Sequence, residues 1–405
     1  MSHTSTTHPP DAPPEPAASR GSIAILVLAL GTFAVGTDAF VVAGFLPAMA
    51  ASLDVSENAA GQSVTVFAIA YALAAPLLAT ATARLPRRGL LVGALLVLAV
   101  ANLGSALAPN LPVLIGTRVC AAAGAAAFTP NAGAVGAALV RPELRGRALA
   151  TVIGGLTAAT ALGVPLGTLV GQLTGWRIAL AGVAGLCLLI AVAVRLIMPA
   201  LPGAERVPLR ARLAVLGRPG VLTVLPLTVL GMTAAYTAYA YSSPALAAVG
   251  VTGSSVVWML VLYGAGAVLG NFGSGQATDR RGPVWVLAVT YPVMAAALAV
   301  LGGPAAGDPP IVVVGALWFG WGAASWAQTP AQQHRLIAAA PHEVPLVVSL
   351  NSSGIYLGIA LGSALGGLAL ARSAATMYLM GAGIALVAWL FLLGTTRRGR
   401  ARRRG

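Results

Sequence analysis

The chain has 405 residues, of which 58% are hydrophobic and only 8% charged. A soluble protein wets its surface with roughly a quarter charged residues, so this composition excludes a chain that faces water all round. All 24 basic residues are arginine. Without lysine there is no Walker A loop to grip nucleotide phosphates and no Schiff-base chemistry, so any ATP-driven step would need another chain.

Residues 1–21, rich in Pro, Ser, Thr and His, have little to bury and are expected to form a disordered cytoplasmic tail. Apolar runs of about 20 residues, each enough to cross roughly 30 Å of hydrocarbon, predict twelve membrane helices. The first six span 22–47, 61–80, 89–108, 112–140, 148–173 and 177–198. Ala48-Met49-Ala50 resembles a leader cleavage site, but the preceding run is too long for a signal segment, so the first helix is read as retained. A polar connector over 199–219 separates this block from a second, at 220–247, 254–277, 283–303, 311–333, 345–370 and 374–394. A basic tail over 395–405 closes the chain. Cys120 and Cys187 fall within spans and read as small packing residues, with no disulfide framework.

Threading the spans alternately gathers the arginines on one side. Arg177 and Arg372 are left on the other, and Arg118 lies within a span. By the positive-inside rule the arginine-rich side and both termini are cytoplasmic, in a multi-pass protein of the cell membrane. The net charge of +14 therefore reflects topology and does not point to nucleic acid.

The two blocks repeat one another. Gly163, Gly167 and Gly171 in the fifth span recur as Gly358, Gly362 and Gly366 in the eleventh, and the loop arginine Arg84 recurs as Arg280 at almost the same offset. Lipid supplies no hydrophobic drive for helix association, so such ridges serve close backbone packing. Two readings stand: the ridges stabilise each bundle, or they let two halves rock. Paired six-span halves around a midplane cavity are the architecture of secondary transporters, with an all-α fold of two pseudo-symmetric bundles.

Several stretches resemble the major facilitator superfamily. Gly275 to Gly282, with Asp279 and Arg280, is similar to the second-half copy of its loop signature. Leu114, Arg118, Gly124 and Pro130 resemble its fourth-helix motif. Gly154 through Gly163, Pro165, Gly167 and Gly171 resembles the glycine-proline antiporter motif of its drug-efflux branch. Gly36 to Pro47, Gly264 to Asn271 and Ser349 to Gly367 are similar to actinobacterial chloramphenicol exporters and sugar efflux permeases. In the first-half loop the acid of the signature falls at Ala83 and its leading glycine at Ala79, so Arg84, Arg87 and Arg88 keep only the basic part. Any gating contact there must then find a partner elsewhere, such as a helix C-terminus. Related exporters carry Glu at the position of Ala39, whereas this chain has Asp38, about 100° away around the helix.

Asp38 is the one acidic residue placed deep in a span, and such groups face protein or a wet cavity. It is the first candidate for proton coupling, against a structural role near the outer mouth. Arg118 keeps its charge, so it can tune a carboxylate, bind substrate or anchor polar backbone. Tyr236, Tyr239, Trp321 and Gln328, with Asn271, Asn351 and Tyr356, are candidate lining for a bulky, weakly polar substrate. The competing reading of the aromatics is an interfacial belt. No metal-ligand spacing is present, His334 and His342 included.

The resulting expectation is a non-enzymatic transporter without cofactor, driven by the proton gradient. It would export small apolar compounds such as chloramphenicol-like drugs, with substrate, protons and membrane lipid as partners and the monomer as the working unit. A sugar, nucleoside or other metabolite exporter on the same fold is the alternative, and a non-transporting receptor or scaffold a more distant one.

Overall fold

The computed structural model describes residues 16–141, 144–203, 208–303, 309–340 and 344–401. Twelve helices are long and apolar enough to cross a membrane. In the first half these are α1 (Gly21–Phe40), α2 (Glu57–Ala81), α3 (Arg87–Ala106), α4 (Leu111–Ala138), α5 (Arg145–Thr174) and α6 (Trp176–Ile197). The second half contributes α7 (Gly220–Tyr239), α8 (Ser255–Arg281), α9 (Pro283–Gly302), α10 (Ile311–Ala339), α11 (Val347–Leu370) and α12 (Ala374–Thr396).

The outer limits differ from expectation. Helix extends back to Pro16, so part of the expected tail continues α1, while residues 1–15 lie outside the described residues. At the other end helix runs on to Ala401, and the final residues 402–405 again lie outside. Within the connector the chain forms a short helix, Leu209–Ala214, and a 3-10 turn, Val215–Gly217.

Two predicted spans are broken in matching places. The first stops at Phe40, turns at Val41 and resumes as Val42–Ser52, with Phe45 at φ −127° and ψ 19° and Pro47 inside. The seventh stops at Tyr239 and resumes as Ser242–Ala247, which contains Pro244. Proline offers no N–H and crowds the carbonyl four residues back, so its disruption falls upstream, at Ala43 and Ala240. In α5 a π-turn over Ala159–Gly163 precedes Pro165, the usual way a helix absorbs such a residue.

Both glycine ridges pack within their own half. On α5, Gly155 lies against Ala29 and Thr32, Gly163 against Thr37, Gly167 against Val41 and Gly171 against Phe45, all on the chain of α1 and its extension. Thr32 Oγ1 also donates to the Val152 carbonyl. On α11, Gly358 meets Met232 and the Val229 carbonyl, Gly362 the Thr233 carbonyl and Gly366 the Thr237 carbonyl of α7. Gly154, the first glycine of the resembled antiporter motif, does not extend this ridge. A side chain there would enter open space, and its neighbour Gly155 does the packing, because 155 and not 154 lies on the row spaced by four. Cys187 is buried as expected, but Cys120 is exposed and packs no interior.

The halves meet along α2 with α11 and along α5 with α8. Gly264 of α8 sits on the backbone of Thr160 and Ala161, in the π-turn.

A methyl group at Gly366 would collide with backbone that cannot step aside. Gly366→Ala is expected to lower stability by about 1–3 kcal/mol, read as a lower midpoint of thermal unfolding in detergent. Gly383, with nothing within 4 Å of an added Cβ, is the control, and Gly383→Ala should be neutral or slightly stabilising.

Candidate translocation site

At the last turn of α1, Asp38 is fully buried and faces Arg118 of α4, equally buried. Arg118 Nη1 lies 2.5 Å from Asp38 Oδ1. Its Nη2 donates to the Asp38 carbonyl at 3.1 Å, where the helix is running out of its own donors. The guanidinium lies 4.5 Å above the centre of the Phe67 ring, a cation–π contact that covers one of its faces. Between described residues this is the only ion pair. It is also incomplete, since Asp38 Oδ2 and Arg118 Nε have no hydrogen-bond partner. The two charged candidates for proton coupling thus form one unit.

Aromatic rings close the centre around this pair. Tyr356 of α11 stacks on Tyr71 of α2 at 3.6 Å, and Phe40 of α1 meets Tyr236 of α7 at 5.7 Å. Behind Tyr236 come Tyr239, Tyr263, Trp321 and Trp318, linked by ring separations of 4.5 to 5.2 Å. All are buried, so Tyr236, Tyr239, Trp321 and Tyr356 do not form an interfacial belt. Phe40, Phe67, Tyr71 and Tyr263 were not singled out in the sequence; lone aromatics in an apolar run give no sign of which way they face.

Three expected lining residues lie elsewhere. Gln328 belongs to the interior of the second half, donating to the Ser325 carbonyl at 3.0 Å and accepting from Tyr291 at 3.4 Å. Tyr291 also accepts from Gln332, which in turn accepts from Arg335. Asn351 accepts from Thr228 at 3.2 Å and serves the contact of α11 with α7. Asn271, only partly buried on α8, is outside the aromatic cluster.

On the arginine-rich face, Arg87 Nη1 donates to Asn131 Oδ1 at 2.7 Å and its backbone N–H to the Leu201 carbonyl at 3.0 Å. Arg88 Nη1 reaches the Met198 carbonyl, the C-cap of α6, at 3.4 Å. The first-half loop is therefore tied to an amide and a helix C-terminus of its own half, with Ala83 buried beneath. Arg84, Asp279 and Arg280 are exposed, and none of them is in an ion pair between described residues.

The opposite face is latched. Ser243 Oγ lies 2.9 Å from the Gly44 carbonyl and 3.3 Å from that of Ala43, the latter being the carbonyl that Pro47 deprives of its helical donor. Nearby, Gln172 Nε2 donates to the Gly253 carbonyl at 3.3 Å, and deeper in, Thr65 donates to Ser363 at 3.0 Å. All of these bonds cross between the halves. A cleft of about 260 Å³, with Gly44, Pro47, Gln172 and Ser243 in its walls, remains at this seam.

The model of the Major Facilitator Superfamily matches residues 28–245 and again 224–405. The chain belongs to that superfamily. It is 33% identical over 379 residues to the inner membrane transport protein YdhP of Escherichia coli K12, covering 92% of this chain and 96% of that protein. To a chloramphenicol resistance protein of Streptomyces lividans it is 34% identical over 348 residues, covering 84% and 86%. Among solved structures, a D-xylose-proton symporter superposes with a TM-score of 0.78 at 16% identity, covering 91% of this chain and 96% of that one. This major facilitator protein is thus a multi-pass membrane transporter and not an enzyme.

Removing one member of a buried pair strands the other, at a cost of about 3–5 kcal/mol. Arg118→Ala is expected to lower the thermal midpoint strongly, and Asp38→Asn combined with Arg118→Met to recover much of that loss. Ser243→Ala removes a hydrogen bond worth about 1 kcal/mol, roughly a fivefold change in the closed-to-open ratio at this face. A cysteine introduced by Ala43→Cys, a position buried in this closed state, in a chain lacking its two native cysteines, should then react faster with an impermeant thiol reagent.

Proposed function

We propose that this transporter exports small, mostly apolar compounds, chloramphenicol-like antibiotics among them, across the cytoplasmic membrane in exchange for protons. The arginine-rich face and both termini are cytoplasmic on this reading, since positive charge is retained on that side. The observation that carries it is the buried Asp38–Arg118 pair. A proton on Asp38 removes the carboxylate charge and leaves a guanidinium unpaired inside the protein, a state that burial strongly disfavours. Binding a proton therefore favours any conformation in which water reaches Arg118, and losing it favours the closed pair. Asp38 lies on the same chain segment as Phe45 and Pro47, so a change at the pair is placed to act on the Ser243 latch. The aromatic cluster supplies a surface for flat, weakly polar molecules, and the similarity to the Streptomyces lividans resistance protein supports the choice of drug.

The test is growth of a pump-deficient host expressing the protein on a panel of antibiotics, with and without an uncoupler. Resistance to chloramphenicol that the uncoupler abolishes is the expected result. In everted vesicles, Asp38→Asn should abolish substrate-driven proton movement; proton flux at the wild-type rate in that variant would remove Asp38 from the coupling.

A further inference from the structure

On the outside of the first half, a groove of about 460 Å³ runs down from the arginine-rich face. Its walls include Leu78 of α2 with Gly89, Gly93 and Val97 of α3, and its floor is Ala123 and Gly124 of α4. From Gly89 to Val97 it extends about 12 Å along α3. Because α3 packs on α4 and α6, the groove opens away from the second half, and Val97 in its wall is 45% exposed. Leu85 and Pro86 form its mouth, so Arg84, Arg87 and Arg88 stand around the opening.

These arginines have no acidic partner among the described residues. Arg87 spends one of its five N–H donors on Asn131, which lies one helical turn beyond the groove lining at Ala127. Arg84 is exposed, and the loop from Thr82 to Arg88 contains no carboxylate. An apolar slot crowned by uncompensated guanidinium groups complements one kind of molecule, an amphiphile with an acyl tail and an anionic head. Arginine suits a phosphate in particular, because its planar donors bind two oxygens together.

We propose that this groove binds an anionic phospholipid of the arginine-rich leaflet, one acyl chain lying between α2, α3 and α4 and the phosphate against Arg84 and Arg87. The site is separate from the translocation pathway and stands whether or not the proposed substrate is correct.

The experiment uses full-length protein in nanodiscs of phosphatidylcholine with a minority of phosphatidylglycerol, and native mass spectrometry to count the lipids retained. The wild type is expected to retain phosphatidylglycerol over phosphatidylcholine by about tenfold or more. Arg84→Gln with Arg87→Gln should bring the two lipids to parity, glutamine keeping an amide for Asn131. Gly93→Leu, at a position with nothing within 4 Å of an added Cβ, should fill the groove and reduce retention of both lipids. Gly89→Leu, equally open, repeats the test if that variant is unstable. Equal retention of both lipids by the wild type would overturn the proposal. So would undiminished phosphatidylglycerol in either leucine variant, or a preference unchanged by loss of the two arginines, as binding to the C-terminal arginines would give.

Discussion

Hydrocarbon offers no hydrogen bonds, so every polar group that the chain takes into the membrane must be answered by the protein itself. The Asp38–Arg118 pair is the most demanding case, and much of the centre is arranged around it. The carboxylate takes one Nη, the backbone carbonyl of the same residue takes another, and Phe67 covers the face of the guanidinium. The same rule governs the helix breaks. Carbonyls freed near Pro47 are answered by Ser243 from the opposite half, which turns a local defect in one bundle into a bond between two.

A transporter has to hold each half rigid while leaving the contact between halves reversible. The two kinds of contact differ in their main chemistry in this protein. Within halves, glycines bring backbones of α5 and α1, or α11 and α7, too close for even a methyl group; such contacts do not slide. Between halves, one glycine contact of that kind occurs, Gly264 on the backbone of Thr160 and Ala161, beside single hydrogen bonds from hydroxyl and amide side chains and ring faces such as Tyr71 on Tyr356. Each hydrogen bond is worth little alone.

How much of this was legible in the sequence follows from the range of the signals. Hydropathy averages over a whole span, so all twelve helices and the division into halves could be read. The break after Phe40 could not, because the run Phe40-Val41-Val42 carries no breaker of its own and Pro47 loosens the helix only from Ala43 onward. Asp38 and Arg118 were each visible as charges in apolar runs, but their pairing depends on the relative heights of α1 and α4, which no local pattern encodes. Gln328 and Asn351 show the opposite error: an amide in an apolar helix signals a polar partner, and here the partners are Ser325, Tyr291 and Thr228 of the same half.

The π-turn in α5 has a geometric consequence for the ridge that follows it. Residues spaced by four advance about 40° around an ideal helix at each step, so a ridge from Gly155 to Gly171 would wind well over a third of the way around α5. The wider turn over Ala159–Gly163 accommodates an extra residue and takes back about 100° of that rotation. Gly155 and Gly171 can therefore press on the same neighbour. The shorter row on α11, Gly358 to Gly366, accumulates too little drift to need such a correction. The defect in α5 is thus a phase adjustment that lets a row of period four behave as a straight edge.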